Sequence, residues 1–337
     1  MNQCPRAAGH RLSSAPHGDK NLAPRMAAPS GCELNMAEGC FSVYGLGQCA
    51  LDFLGKVDAY PPPDVKCEVF DLVIQGGGPV ATALVALARW GVSCVLAGVV
   101  GDDLFGGMIR DSLAEEGVET REVMTRKGAG SQLAFIVAEP GKGRRTIFWH
   151  RPTGPPLRPD EIDCRLIRSA KVFHTDGLFP EASLAGARAA RAAGVAVVVD
   201  AGTLRDGILG LARVSDYFIA SETFSRALVG NDRPLDACRK LAELGPRLTG
   251  VTLGERGYVA LAEGTLIERP AYKVEAVDTT GCGDVFHGAF IYGLLQGWDV
   301  EKCLDFAAWA AAMVSLRLGG RGGIPSLAEV KEWDRSR

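Results

Sequence analysis

The chain has 337 residues, of which 47% are apolar and 23% charged, and a formal charge of −3. That balance suits a globular fold with a sizeable core, and it argues against a nucleic-acid or membrane-surface partner, which would call for a basic excess or patch. No apolar run reaches the ~18 residues of a membrane span. The cysteines are scattered without a C-x-x-C pair, so reduced thiols in the cytoplasm are expected rather than a disulfide framework or a zinc site.

Residues 1–38 carry Pro, Ser, Gly and Ala without a period and read as a disordered leader. Met26 and Met36 offer alternative starts, and Asp19, Glu33 and Glu38 weaken a targeting role. Residues 40–47 predict a first strand, and the prolines at 61–63 forbid a helix soon after it. Residues 81–91 predict a helix stopped by Gly91, 92–101 a strand, and 103–117 a helix. Between 119 and 150 the pattern becomes two strand-like runs around E-P-G-K-G-R-R, a hairpin by its turn chemistry.

The alternation then resumes. Strands are expected at 170–177, 195–202 and 216–221, and a further one within 247–257. Helices are expected at 181–194, 234–245, 277–297 and 300–319. Continuously apolar strands alternating with helices imply a mainly parallel sheet covered on both faces, an α/β doubly wound fold. The pieces at about 49–75 and 119–150 fall outside this rhythm and predict a small β lid on a body spanning 39–330, followed by a tail at 331–337. An uncovered lid edge favours pairing with a second copy, hence a homodimer.

The stretch with the clearest chemistry is V-D-T-T-G-C-G-D-V-F-H-G-A-F, residues 277–290. The N–H groups at a helix start lack intrahelical partners, and the helix dipole adds about half a positive charge there. Glycines let such a backbone close on an anion. Gly281, Cys282 and Gly283 can therefore form an anion hole, with Asp284 beside it as a base for a hydroxyl nucleophile. Phosphoryl transfer needs both parts. Taken alone, Asp284 could equally be a carboxylate that favours a helix N-terminus by ~0.3–1 kcal/mol.

The wider context resembles the second signature of the PfkB/ribokinase family of carbohydrate kinases, D-T-T-G-A-G-D-x-F-x-G-A. Asp278, Thr279, Thr280, Gly281, Gly283, Asp284, Phe286, Gly288 and Ala289 match, and Cys282 replaces the usual alanine. Residues 76–118, from G-G-G-P to E-E-G-V, resemble the family's first signature, so the likeness runs from about 40 to 330. It implies a ribokinase-like fold and transfer of the γ-phosphate of ATP to a hydroxyl of a sugar or sugar-like molecule. By position, Asp284 matches the catalytic base and residues 281–283 the anion hole. Asp52, Gly77 and Gly78 match the substrate site. Thr252, Gly254 and Gly257 match the nucleotide loop. Asp278 and Thr280, with the 320–326 run, match positions that hold a monovalent cation such as K⁺, and Mg²⁺ would travel with ATP.

Departures accompany these matches. Ala81 stands where a helix-entry asparagine is usual. Ser221, the counterpart of a nucleotide-side asparagine, and Phe224, the counterpart of a glutamate, replace the N-x-x-E motif; Glu222 is expected to face elsewhere. The S-E-T-F departure keeps open a nucleotide- or sugar-binding protein with little catalysis, and a nucleoside kinase of the same fold is the other alternative. G-L-G-Q-C-A at 45–50 fits a dinucleotide fingerprint but lacks the helix it requires, and no P-loop motif occurs. His287 reads as a satisfied core histidine. Cys282 reads as a small packing residue that would be acidified only if exposed. Arg144 and Arg145 read as hairpin charges or as a grip on an anionic group, and Trp149 and His150 as lid packing or a sugar-stacking surface.

Overall fold

The computed structural model describes residues 40–139 and 144–337, the side chain of Arg144 excepted. The expected leader lies outside the described residues. In chain order the elements are β1 (Val43–Leu46), β2 (Ala50–Lys56), β3 (Phe70–Gly77), α1 (Pro79–Arg89), β4 (Cys94–Gly101), α2 (Leu104–Glu115), β5 (Val118–Glu119) and β6 (Val123–Arg126). There follow β7 (Leu133–Glu139), β8 (Arg144–His150), α3 (Cys164–Ser169), β9 (Val172–Thr175), α4 (Pro180–Ala192), β10 (Ala196–Ala201), α5 (Ile208–Ala212) and β11 (Tyr217–Ser221). The chain ends through α6 (Glu222–Val229), α7 (Pro234–Ala242), β12 (Leu248–Thr252), β13 (Tyr258–Ala262), β14 (Thr265–Arg269), α8 (Cys282–Gln296), α9 (Val300–Val314) and α10 (Leu327–Arg335).

The large sheet runs β14-β13-β12-β11-β10-β9-β1-β4-β5, with β6 also on β4. It is parallel from β12 to β5 and antiparallel at β13 and β14. Successive strand side chains point to opposite faces, and the core divides accordingly. Val43 and Leu96 pack with α1, α8 and α9 on one face, while Tyr44, Leu46 and Val95 pack with α4 and α7 on the other. This double covering is why the strands read as unbroken apolar runs.

The small sheet is β3-β2-β7-β8. Leu54, Ala134 and Ile136 are buried on one face of it, with Val73 and Leu318 against them. On the opposite face Ile74, Phe135 and Phe148 stay about half exposed. The lid expectation thus has its counterpart in residues 50–56, 70–77, 133–139 and 144–150, but residues 118–126 pair with β4 in the large sheet instead. The β13–β14 hairpin was not anticipated, because its alternation is short and lies on a sheet edge.

Two boundaries differ for identifiable reasons. The helix expected over 277–297 begins only at Cys282. Gly281 sits at φ 76°, and a Cβ there would come within 2.4 Å of the Gly320 Cα, so the entry is a glycine turn. At the C-terminus, residues 331–335 are no separate tail. They complete α10, which opens with a capping box between Ser326 and Glu329 and buries Val330 and Trp333. The Trp333 ring lies 4.9 Å from Phe306, 5.8 Å from Trp298 and 5.9 Å from Trp309. Replacing Trp333 by Ala should therefore cost about 3–5 kcal/mol of stability, as for other buried aromatics, measured by chemical denaturation. A loss below about 1 kcal/mol would show that α10 is dispensable.

Candidate active site

The parallel strands β1, β9, β10, β11 and β12 end on one side of the large sheet, where ligands of doubly wound folds bind. α8 begins on that side. Its first-turn N–H groups have no carbonyl of their own helix to bond, Gly281, its N-cap, offers no side-chain cap, and the Cys282 N–H donates to the Thr279 carbonyl outside the helix at 3.4 Å. A cleft of about 820 Å³ opens there, lined by Thr252, Gly254, Gly257, Thr279, Cys282 and Gly283 among others. The expected nucleotide-loop residues therefore share one cavity with Cys282 and Gly283, whereas Gly281 and Asp284 are not among its lining residues.

Asp284, in the first turn of α8, is pushed up to about 7 by burial and then by the negative charge of Asp200 and Asp52; Arg145 opposes this. Asp52, on β2, is buried and raised to about 6, chiefly by burial, against the field of Arg321. A Cβ on Gly77 would sit 2.0 Å from Asp52 Oδ2. The glycine at 77 is thus what allows the carboxylate its place. Gly78 follows at φ 100° as the N-cap of α1.

Several charged groups of this region were not singled out from the sequence. Asp176, just past β9, accepts N–H bonds from Gln48 and Leu178, both at 2.9 Å, and burial raises it to about 7. Asp200, on β10, faces His287, whose Nδ1 lies 3.5 Å from Asp200 Oδ2. Both acids stand at or just beyond C-terminal strand ends, the positional signal that could have found them. Arg321 is buried, donates to Ser112 Oγ at 2.7 Å, and is lowered to about 10 by burial despite Glu116 and Asp52. Nothing in its G-R-G-G setting marks it as buried.

Other expectations resolve individually. Asp278 is buried. Its Oδ1 accepts from the Thr280 N–H (2.9 Å) and hydroxyl (2.8 Å), and its Oδ2 accepts from the Gly319 N–H (2.8 Å). Ser221 is the N-cap of α6: its hydroxyl accepts from the Phe224 N–H and donates to the Gly202 carbonyl at 2.7 Å. It is not among the cleft-lining side chains. Phe224 is buried against Phe218. Glu222, expected to face elsewhere, lines the cleft and is held by Arg256 at 2.5 Å and by Arg226. The start of a new helix at Glu222 turns the chain there, so strand parity misplaces it. Cys282 lines the cleft half-buried, and burial pushes its thiol up to about 12, the opposite of an activated thiolate. His287 is a satisfied core histidine, with Nδ1 2.8 Å from the Gly283 carbonyl and Nε2 3.3 Å from that of Ile219.

The family model for pfkB family carbohydrate kinases matches residues 42–327. The chain belongs to this family. Among curated relatives, fructokinase-1 of Zea mays is 30% identical over 87% of this chain and 96% of its own length. The 2-dehydro-3-deoxygluconokinase of Thermoproteus tenax is 30% identical over 88% and 95%. Two solved structures share the fold: the ribokinase of Thermotoga maritima, with TM-score 0.76, 24% identity and coverage of 88% and 99%, and that of Arabidopsis thaliana with ribose and ATP, with TM-score 0.75, 23% identity and coverage of 87% and 98%. This pfkB kinase is accordingly an ATP-dependent carbohydrate kinase with a ribokinase-like fold. Among the described residues no helix is long and apolar enough to cross a membrane.

The contact between residues 52 and 77 generates a test. Gly77→Ala must displace the Asp52 carboxylate. If Asp52 bonds the sugar, losing that charged hydrogen bond, about 1.5–3 kcal/mol, should raise the KM for the sugar roughly 10- to 100-fold with little change in the KM for ATP. Equal effects on both substrates would refute a local role for Asp52.

Proposed function

We propose that Asp284 is the general base of γ-phosphoryl transfer from ATP to a hydroxyl of a carbohydrate or sugar-like acceptor. The observation that carries this reading is its position: a carboxylate raised to about 7, in the first turn of a glycine-entered helix, next in sequence to Gly283, which lines a cleft of about 820 Å³. Such a group is a base matched to neutral pH. The acceptor hydroxyl gives its proton to Asp284 and its oxygen bonds the γ-phosphorus as the bond to the bridging oxygen of ADP breaks. The N–H groups at residues 282–284 take up the charge of the transferring group. Asp52 and the Gly77–Gly78 turn hold the acceptor, and Thr252, Gly254 and Gly257 flank the nucleotide.

Mg²⁺ fits as a companion of ATP, held by phosphate and water oxygens. The acids lining the cleft are Glu222, which is already bonded to arginines, and Glu255. The metal would neutralise phosphate charge. K⁺ is proposed to share the oxygens of Asp278, with Thr280 and the 320–326 run around it. A cytoplasmic location is proposed, in keeping with the free cysteines among the described residues, which cell fractionation would check. The exposed row Ile74, Phe135 and Phe148 supports a homodimer through the small sheet. Light scattering should give twice the chain mass, and Phe135→Glu should halve it; a monomeric wild type would refute this.

The central test is an ADP-release assay with ATP, Mg²⁺ and a panel of sugars, keto-sugar acids, sulfo-sugars and nucleosides. Asp284→Asn should lower kcat by about 10²–10⁴. The wild-type kcat/KM for the acceptor should rise with pH through about 7, because only the ionised carboxylate accepts the proton. The folded-state pKa is raised above its unfolded value, so ionising Asp284 costs stability as pH climbs from about 4 to 7. Asp284→Asn should thus show a higher Tm than the wild type at pH 8 and little difference at pH 4. Replacing K⁺ by tetramethylammonium should slow turnover. Full activity in Asp284→Asn would overturn the assignment.

A further inference from the structure

Arg145 occupies a place that its strand dictates. In the β7–β8 register it stands opposite Ala138, while Ile147 stands opposite Ile136 and Trp149 opposite Ala134. Alternate residues of a strand share a face. In the β2–β7 register Asp52 stands beside Ala134 and Leu54 beside Ile136. Arg145 therefore shares the sheet face of Asp52 and Leu54, the face on which Leu54, Ala134 and Ile136 are buried against Leu318. Its guanidinium reaches across and donates to Thr279 Oγ1, in the loop just before α8. It lines the same cleft as Thr279, Cys282 and Gly283.

The company Arg145 keeps is unusual for this protein. Arg126, Arg158, Arg226 and Arg256 each pair with carboxylates. Among the described residues, Arg145 has only the neutral hydroxyl of Thr279 as a hydrogen-bond partner. A guanidinium carries five N–H donors in a planar fork suited to phosphate oxygens, so most of them are unused. The field of Arg145 nonetheless acts on both Cys282 and Asp284, which places its charge beside the helix start and the proposed base.

We propose that Arg145 is a catalytic residue that binds the transferring phosphoryl group from the side of the small sheet, facing the anion hole. This rests on the functional reading above. The phosphoryl group is held between two sets of donors, the first-turn N–H groups of α8 on one side and the Arg145 fork on the other. Arg145 gains and loses no proton. Its donors bond the non-bridging oxygens while the acceptor oxygen–phosphorus bond forms, the bridging bond to ADP breaks, and Asp284 takes the hydroxyl proton. Because Arg145 comes from the strand pair next to Asp52, the same sheet that covers the acceptor supplies the charge for transfer, which ties phosphate stabilisation to a closed site.

The test uses the full chain and the variants Arg145→Gln and Arg145→Lys, in two measurements. In the ADP-release assay Arg145→Gln should lower kcat at least 10²-fold, in line with the loss of a donor to a developing charge, while the acceptor KM stays within about threefold. Arg145→Lys should recover part of the rate, and added guanidinium ion should partly rescue an Arg145→Ala variant. In calorimetric titration Arg145→Gln should weaken binding of a non-hydrolysable ATP analogue with Mg²⁺ about tenfold or more and leave ADP binding within twofold, provided the fork touches the γ-phosphate. Three results overturn the proposal: an unchanged kcat, a rise confined to the KM of acidic acceptors, which would assign Arg145 to the acceptor's own anionic group, or equal losses for the ATP analogue and ADP. A wild-type chain that binds neither nucleotide overturns the functional reading itself, whereas tight wild-type binding with an indifferent Arg145→Gln overturns only the role of Arg145.

Discussion

The buried carboxylate of Asp278 fixes the geometry on which the site depends. One oxygen holds the N–H and hydroxyl of Thr280 and the other the N–H of Gly319. A buried carboxylate must have its lone pairs satisfied, so the loop before α8 and the loop after α9 are drawn together. Gly281 then packs against Gly320 with no room for a side chain. The start of α8 is held in place from both directions, and the direction of its first N–H groups is set before any ligand arrives. Such preorganisation lets backbone dipoles stabilise a transition state without reorganising during the reaction.

Around this start the protein collects negative charge. Asp52, Asp176 and Asp284 are each raised toward neutrality, burial being the first cause in each case, and Asp200 adds its field to Asp176 and Asp284. A fold optimised only for stability would not cluster carboxylates in this way. The arrangement suits polyhydroxylated acceptors, whose hydroxyls donate to carboxylates, and it keeps one of these acids basic enough to take a proton near neutral pH. The opposing cations arrive from separate directions: Arg321 from behind the glycines of β3 and Arg145 from the small sheet. The two sheets therefore divide the charged groups, the large one lying beside the helix start and the small one bringing the Asp52 carboxylate and the Arg145 guanidinium.

Much of this was legible in the chain. The T-G-C-G-D stretch pointed to a glycine-entered helix start with an acid in its first turn because both are local: small residues and an acid need no partner from elsewhere to take those places. The parallel sheet was equally visible, since burial on both faces leaves unbroken apolar runs such as residues 94–101. Local reasoning failed where long-range packing set the role. Strand parity misplaced Glu222 because a helix begins there. The 277–297 apolar pattern hid five residues of loop, whose turn is enforced by Gly319 and Gly320 some forty positions away. Trp333 looked like part of a tail because the aromatic cluster that packs on it comes from α9 and the turn before it.

The sequence by itself determined the α/β class, most of the order of its elements and the glycine-entered start of α8, because periodicity, glycine placement and helix-start chemistry are properties of neighbouring residues. Only the tertiary structure decided which charges meet. Asp52, Asp200, Asp284, Arg145 and Arg321 come from strands, a helix and a loop spread over some 270 positions. The raised carboxyls of Asp52 and Asp284 and the lowered guanidinium of Arg321 arise from burial and neighbouring fields, which no single segment contains, since desolvation and Coulomb interaction depend on distance in space rather than separation along the chain.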